Sequence, residues 1–337
     1  MADLAGLDRQ VAQLLGRAPG PDLEAEAAVA GRARQVLRPA GALARLDELA
    51  AWLAAWQGTS RPAVCRPAAV VFAADHGVAA SGVSAYPPEV TAAMLKALRE
   101  GAATACVLAR QVGATLDVVD VGVGEPTGDL AHQAALDPTR FRACVQAGRD
   151  AVAGLDTDLL ILGEMGIGNT TAAAAVTAIL LGRPAEASTG RGTGVDDTGL
   201  ARKLAAVEAA RRRVGAGAAP LEVLRQAGGA ELAALAGAAL EARLRRLPLV
   251  LDGFVVTAAV TPLELLCPGA LANAVAGHRS AEPGHQALLE RLGKRPLLDL
   301  GMRLGEASGA LAAVPLLRLA AAAVTEVATF ADWGLAR

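Results

Sequence analysis

The segment LLILGEMGIGNTT, residues 159–171, decides how the rest of this chain is interpreted. Its four apolar residues, Leu159–Leu162, are typical of a buried strand in a parallel sheet, and Gly163 ends that strand. A helix is predicted over Asn169–Leu181, with residues 169–171 as candidates for its N-cap. A strand that passes through a glycine-rich turn into a helix is the repeating unit of α/β sheets.

The same pattern recurs on both sides of this segment. Four more short apolar runs are predicted to be strands: Ala69–Asp75, Leu116–Val121, Leu249–Leu251 and Pro296–Leu300. Helices are predicted over Glu89–Gln111, over residues 198–247 (two or three helices), in the alanine-rich segment after Gly253 and over residues 308–328. Strands that alternate with helices predict an α/β fold with a Rossmann-like parallel sheet flanked by helices.

The first 57 residues do not join this alternation, because their apolar positions recur at helical spacing throughout. We therefore expect a smaller helical domain that is formed by the two ends of the chain. The predicted boundaries are residues 1–60 for its first segment, 61–305 for a large α/β domain and 306–337 for the segment that completes the small domain.

Composition excludes several classes of protein. The chain has 337 residues, of which 53% are hydrophobic and 20% are charged, so extensive disorder is not expected. A net charge of −2 and an aromatic content of 2% do not favour a nucleic-acid partner. Mean hydropathy is +0.37, but charged residues or prolines interrupt every apolar run before the ~20 residues of a membrane span. No membrane association is predicted.

Cysteine usage points to a reducing compartment. Cys65, Cys106, Cys144 and Cys267 are far apart, without a CxxC pair or zinc-ligand spacing, and are predicted to be small buried hydrophobes. The N-terminus lacks the apolar core of a signal peptide. These features predict a cytoplasmic location, without a metal site or a cofactor.

Two glycine-rich segments are candidates for binding an anion. In the turn at residues 163–171, glycines allow close approach of the main chain, and the following helix directs N–H groups at an anion. The loop GRGTGVDD at residues 190–197 precedes a helix that carries Lys203. Taken alone, the turn at residues 163–171 is explained equally well by the ordinary packing of a strand–turn–helix unit. The alternative for residues 190–197 is a flexible loop. Together they favour a phosphorylated ligand.

Further candidates follow other predicted strands. Asp75-His76-Gly77 ends the first strand, and such a pair is more often a turn cap than a catalytic dyad. Asp252-Gly253 fits an aspartate turn. Glu306 starts the last helix among small residues, where it either pairs with the helix dipole or acts as a general base.

Seven blocks of sequence, in order, together resemble the CobT family of nicotinate-nucleotide–dimethylbenzimidazole phosphoribosyltransferases. They are ADHGV at 74–78, GVSAYP with VTAAM at 82–94, GEMGIGNTT at 163–171, GRGTGVDD at 190–197, LDGF at 251–254, SAEPG at 280–284, and MRLGE with SGA at 302–310. The resemblance covers most of the chain, and seven blocks in register make it specific.

The resemblance implies an enzyme that transfers the phosphoribosyl group of nicotinate mononucleotide to 5,6-dimethylbenzimidazole. The products are α-ribazole 5′-phosphate, which supplies the lower ligand of cobalamin, and nicotinate. It also implies a homodimer with a Rossmann-like domain and a smaller helical domain, and chemistry that needs no metal.

By the same resemblance, Glu306 is the catalytic base and Glu164 is a second carboxylate at the site. The phosphate and ribose are expected on Gly166, Gly168, Asn169, Thr170, Gly192 and Lys203. The base pocket is expected to include Asp75, Ser84, Tyr86, Met94, Met302 and Leu304.

Two departures from the family pattern bear on function. Many members carry a glutamine where this chain has Ala92-Ala93-Met94, which leaves open another acceptor such as adenine, a different benzimidazole or a phenol. Ala307 replaces a common glycine and is expected to be tolerated if the backbone there is helical. A non-catalytic nucleotide sensor is a further alternative, disfavoured because Glu306, Glu164 and both glycine loops are present. No GxGxxG follows the first strand, which disfavours a dinucleotide oxidoreductase.

Overall fold

Five parallel strands form the centre of the molecule. The structure, a computed structural model, describes residues 4–335. The strands are β1 (Pro67–Ala74), β2 (Thr115–Gly122), β3 (Leu159–Met165), β4 (Leu249–Leu251) and β5 (Ala274–Ala276). Their order in the sheet is β2-β1-β3-β4-β5. The chain changes direction across the sheet between β1 and β3, and ligands of open α/β sheets bind beyond the carboxyl ends of the strands at such a switch point.

Thirteen α-helices of the described residues surround the sheet. They are α1 (Leu4–Gly16), α2 (Leu23–Ala33), α3 (Arg45–Gln57), α4 (Val90–Arg99), α5 (Thr104–Gln111), α6 (Pro138–Ala153), α7 (Asn169–Leu181), α8 (Asp197–Val214), α9 (Pro220–Ala227), α10 (Ala230–Leu244), α11 (Phe254–Leu266), α12 (Pro283–Arg291) and α13 (Ser308–Thr325). This three-layer arrangement confirms the predicted α/β fold.

Each face of the sheet has its own hydrophobic core. Val70 and Phe72 of β1 face a cluster built from α1 and α6–α12, whereas Ala69 and Val71 face α2–α5 and α13. Successive side chains of a strand point to opposite faces, so an uninterrupted apolar run supplies both cores. All eight residues of β1 are buried. This explains why the strand lacks polar alternation.

The terminal helices divide between the two faces. Helices α2 and α3 pack with α13 over one face, while α1 packs against α9, α10 and α11 on the other. The division of the chain at residues 60 and 305 stays a prediction, and we retain α2, α3 and α13 as the proposed helical part.

The prediction of the fifth strand was wrong. Pro296–Leu300 makes only a single bridge, between Leu298 and His278, at the end of the sheet. The fifth strand is instead β5, three residues within an alanine-rich segment that has no strand-like pattern of its own.

The predicted helix Glu89–Gln111 is two helices, α4 and α5. The chain turns between them at Gly101, whose φ is +77°. Two helices that were not predicted, α6 and α12, each begin with a proline that follows an acidic residue, Asp137-Pro138 and Glu282-Pro283. Proline at the first helical position is a recognised start signal, so the sequence contained this information.

Among the described residues, one helix has the length and apolar composition of a membrane-crossing segment. It is α13, and 56% of it is buried inside the fold. Its packing against α2, α3 and α5 accounts for its composition.

Candidate active site

A cavity of about 340 Å³ lies beyond the carboxyl ends of the strands. Its walls come from the segments that follow β1, β3, β4 and β5 and from the loop before α13. Nine of the predicted site residues line it together: Tyr86, Met94, Glu164, Gly166, Asn169, Thr170, Gly192, Leu304 and Glu306. The switch point of the sheet therefore coincides with the residues that the sequence singled out.

Glu306 reaches the cavity on an unusual stretch of backbone. Gly305, Glu306 and Ala307 all have positive φ, at +86°, +58° and +66°. The amide of Glu306 donates to the carbonyl of Glu164 at 3.2 Å, which fixes the loop over the end of β3. A Cβ on Gly163 would lie only 2.4 Å from the Ala307 nitrogen, so the close approach of loop and strand requires glycine there.

The expectation for Ala307 assumed a helical backbone, and the structure differs. Ala307 is the N-cap of α13 in the left-handed conformation, with ψ of 7°, and it has no side-chain cap. That conformation costs an L-residue with a Cβ roughly 1–2 kcal/mol. The packed surroundings of this fully buried methyl group hold it in place.

The Glu306 carboxyl group suits a proton acceptor. The residue is 4% exposed, and its Oε2 has no hydrogen-bond partner among the described residues. Burial raises its pKa above the usual glutamate value. A base whose pKa moves toward the working pH is more effective in proton transfer.

Glu164 occupies the same wall. Its Oε2 accepts a hydrogen bond from the Asn169 side chain. Burial raises the pKa of Glu164 well above its usual value, and the carboxylates of Asp252 and Glu231 act in the same direction. Glu164 therefore favours the protonated, neutral form.

The predicted N-cap residues of α7 have other roles in the structure. The N-cap is Gly168, with φ of +96°. Asn169 is bound to Glu164, and Thr170 Oγ1 accepts from Lys203 Nζ at 2.9 Å. The polar side chains at the start of α7 thus face the site and do not cap the helix.

A smaller pocket of about 30 Å³ adjoins the main cavity on the side of α7 and α8. It is lined by Ser84, Gly168, Thr170 and Lys203, among others. Lys203 is 1% exposed, and burial lowers its pKa. A buried ammonium group beside the start of a helix is suited to bind a phosphate group.

The opposite side of the cavity is apolar. Tyr86, Val90 and Met94 approach from the segment after β1, and Leu304 from the loop before α13. Met302 lines an adjoining pocket with Tyr86 and Leu304 rather than the main cavity. An apolar wall of this kind accommodates a flat heterocycle.

Asp75 is not brought to the cavity. Its Oδ2 accepts from the amide of Gly124 at 2.8 Å, and its carbonyl accepts from the amide of Thr127. Asp75 thus follows β1 and supports the turn after β2. His76 is buried and bonded to Glu231 at 2.5 Å, beneath Gly166. The pair supports the turn after β3 from below.

No group of three or more His, Cys, Asp and Glu side chains within residues 4–335 is arranged to hold a metal ion.

Known proteins are similar to this chain over nearly its whole length. A family profile described as phosphoribosyltransferase matches residues 18–335. A nicotinate-nucleotide–dimethylbenzimidazole phosphoribosyltransferase of Mesorhizobium japonicum is 51% identical over 330 residues, 98% of each chain. One of that name from Cereibacter sphaeroides is 48% identical over 94% of each chain. The solved structure of CobT from Thermus thermophilus matches with a TM-score of 0.89 at 46% identity, covering 93% of this chain and 99% of that one.

The chain belongs to the nicotinate-nucleotide–dimethylbenzimidazole phosphoribosyltransferase family. This confirms the resemblance drawn from seven sequence blocks, and with it the class of enzyme. The family blocks are far apart in sequence, yet six of them contribute to one cavity in this chain.

Three charged residues of these family blocks were not predicted as site residues. Asp252 ends β4, and burial raises its pKa to about 7 although it accepts a hydrogen bond from the Ala310 amide. Glu282 and Arg303 line the cavity on either side of Gly192. The sequence indicated only an aspartate turn at Asp252. The tertiary structure shows that its side chain caps α13 from the end of β4.

Proposed function

We propose that this chain transfers the phosphoribosyl group of nicotinate mononucleotide to 5,6-dimethylbenzimidazole, forming α-ribazole 5′-phosphate and releasing nicotinate. The observation that carries this proposal is the position of Glu306. Its carboxyl group, buried and with one oxygen that has no partner among the described residues, lies on the wall of a cavity that Thr170 also lines. Thr170 accepts a hydrogen bond from Lys203, which lines the adjoining pocket. A proton acceptor and an anion site therefore lie in adjoining pockets.

The proposed chemistry is one direct displacement. A ring nitrogen of the benzimidazole attacks the anomeric carbon of the ribose as the bond from that carbon to the pyridine nitrogen breaks. The attacking ring gains positive charge, and its N–H proton passes to the Glu306 carboxylate. General-base catalysis of this kind contributes about 10²–10⁴-fold to a rate.

The leaving group needs little assistance from the protein. The pyridine ring of the donor is quaternised, so it departs with the bonding electron pair as a neutral ring. Attack from the opposite face converts the β-configured donor into an α-configured product. Positioning of the two substrates supplies the rest of the rate enhancement. Glu164 in its neutral form is a hydrogen-bond donor toward the ribose, and as an anion it would stabilise positive charge there.

Binding roles follow from the two sides of the cavity. We assign the phosphate to Lys203, Thr170 and the turn at Gly166–Asn169, and the ribose to the space between that turn and Gly192. We assign the acceptor base to the apolar wall of Tyr86, Met94 and Leu304, with Ser84 and Met302 at its edges. Asp75 would act through the turn that it supports.

The test is product analysis after the protein is mixed with nicotinate mononucleotide and a panel of bases. We expect equimolar nicotinate and α-ribazole 5′-phosphate with dimethylbenzimidazole. If none of the bases in the panel leads to release of nicotinate, transfer is refuted. A strong preference for adenine or a phenol would replace the proposed acceptor.

We also propose a homodimer and a cytoplasmic location. Tyr86 and Leu304 are 52% and 48% exposed, and both line the cavity. Apolar side chains grouped in this way are suited to contact a second copy of the chain. Light scattering of the purified protein would give its mass in solution.

A further inference from the structure

Lys203 is buried without an ion-pair partner. Its Nζ donates to Thr170 Oγ1, and within residues 4–335 it forms no ion pair. Burial disfavours the charged form of an ammonium group, and a nearby negative charge offsets this effect. A phosphate binds the charged form, so a carboxylate close to Lys203 favours phosphate binding.

Glu282 lies on the other side of Gly192 from this lysine. Its Oε1 accepts a hydrogen bond from the Gly192 amide at 2.8 Å, and its Oε2 is buried without a partner among the described residues. The side chain packs directly on the loop, since a Cβ on Gly190 would lie 2.6 Å from Oε2. The residue is 7% exposed.

Gly192 joins the two charged groups. A Cβ at this position would lie 3.0 Å from Lys203 Nζ and 2.9 Å from Thr170 Oγ1. The carbonyl of Gly192 accepts from Arg303 at 3.1 Å, so the residue is held at its nitrogen by Glu282 and at its oxygen by Arg303. Glu282 therefore fixes the loop that closes over the lysine.

Other charged groups near Lys203 have partners of their own. Helix α7 has no charged residue. In the loop before α8, Arg191 binds Asp197, and on α8 Arg202 donates to the carbonyl of Gly82. In α9, Glu222 binds Arg225. Glu282 is the carboxylate that raises the pKa of Lys203 against the effect of burial.

We propose that Glu282 is a positioning residue of the phosphate subsite, which holds Gly192 in place and supplies the counter-charge that keeps Lys203 an ammonium ion. The role as a phosphate subsite rests on the proposed function, whereas the coupling of Glu282 to Lys203 does not. With Gly192 between them, Glu282 supports the lysine without occupying the space of the phosphate.

The substitution Glu282→Gln separates the two parts of this role. Glutamine retains an oxygen that can accept from the Gly192 amide, but it removes the negative charge. The charged form of Lys203 then loses its stabilisation, and its pKa falls further. In the enzyme, the alkaline limb of kcat/KM for nicotinate mononucleotide should move to lower pH by about one unit.

The sequence offers a direct measurement, because it contains three lysines: Lys96, Lys203 and Lys294. NMR titration of protein labelled at the lysine side chains, without substrate, would follow each one, with Lys203 assigned from a Lys203→Arg variant. We expect the Lys203 midpoint to fall by about one pH unit in Glu282→Gln, while Lys96 and Lys294 keep theirs. In Glu282→Asp, which retains the charge, the midpoint should lie closer to the original value.

An unchanged Lys203 midpoint in a folded Glu282→Gln protein would overturn the proposal. So would an alkaline limb that shifts equally when Glu282→Gln is made in the Lys203→Arg background, because arginine stays charged. Failure of the proposed function is distinguishable. It would appear as absence of turnover with nicotinate mononucleotide, while the lysine titration would still show the coupling.

Discussion

The main-chain amide of Glu306 donates a hydrogen bond to the main-chain carbonyl of Glu164, at 3.2 Å. This bond ties the loop before α13 to the carboxyl end of β3, and it brings two buried carboxyl groups to the same wall of the cavity. Burial raises both pKa values, and nearby carboxylates, Glu306 among them, raise that of Glu164 further. The proposed reaction needs an ionised Glu306, with a protonated Glu164 beside it.

Glu306→Gln should abolish most turnover while nucleotide binding persists. The amide retains the size of the side chain but cannot accept the proton of the attacking ring. We expect kcat to fall by about 10²–10⁴-fold and the Kd of nicotinate mononucleotide, measured by calorimetry, to change little. Below the raised pKa of Glu306, the wild-type rate should fall with decreasing pH, and the variant should lack this limb.

Glu290→Gln, an exposed position on α12, is the matched control and should retain full activity. Wild-type turnover in Glu306→Gln would remove this residue as the base.

Asp252→Asn should change how stability depends on pH. Asp252 is 1% exposed, and its pKa rises from 3.8 to about 7 in the folded protein. The folded state thus holds a proton that the unfolded state has released. The resulting stabilisation is complete below pH ~4 and is lost as pH rises to ~7, which amounts to roughly 4 kcal/mol at most.

Asparagine has no such titration and keeps an oxygen for the Ala310 amide. The Tm difference between Asp252→Asn and wild type should therefore move in favour of the variant between pH 5 and pH 8. A difference that stays constant over that range would contradict a raised pKa for Asp252.

The sequence predicted the centre of the fold well, because physical demands there are local. A strand buried on both faces must be apolar throughout, and β1 and the first four residues of β3 are. Prediction failed where alanine dominates, since alanine fits both a helix and a short buried strand such as β5. The break between α4 and α5 at Gly101 was missed because the helical spacing of apolar residues continues across it.

The site was predicted only in part, for a different reason. Glu306 and Lys203 belong to segments whose glycines and charges stand out in the sequence. The proposed role of Glu282 depends on a hydrogen bond from the amide of Gly192, which is distant along the chain. No local pattern in SAEPG indicates that contact, and residue type alone does not distinguish such a carboxylate from a helix-capping one.

Gly163→Ala should impair catalysis through the backbone. The added Cβ would lie 2.4 Å from the Ala307 nitrogen and 2.6 Å from its Cβ, so the loop that carries Glu306 must move away from β3. Since displacement of a base by about 1 Å can cost on the order of 10²-fold, kcat should fall more than the affinity for nicotinate mononucleotide.

Gly154→Ala is the control, because an added Cβ there meets no atom within 4 Å and φ is −96°. It should leave kcat and Tm near those of wild type. Equal losses in both variants would show that the effect of Gly163→Ala is not transmitted through the loop.

Met94→Gln should change which acceptor base is preferred. Met94 lines the apolar wall of the cavity, where its flexible thioether side chain can pack against the methyl groups of dimethylbenzimidazole. A glutamine would place an amide that needs hydrogen-bond partners in that wall, which favours a base with a polar substituent. We expect the ratio of kcat/KM for dimethylbenzimidazole over 5-hydroxybenzimidazole to fall by about 10-fold. Lys96→Gln is the control, since Lys96 is exposed on the same helix away from the cavity lining and its substitution should leave the ratio unchanged. An unchanged ratio in Met94→Gln, or the same change in both variants, would show that Met94 does not contact the substituted edge of the base.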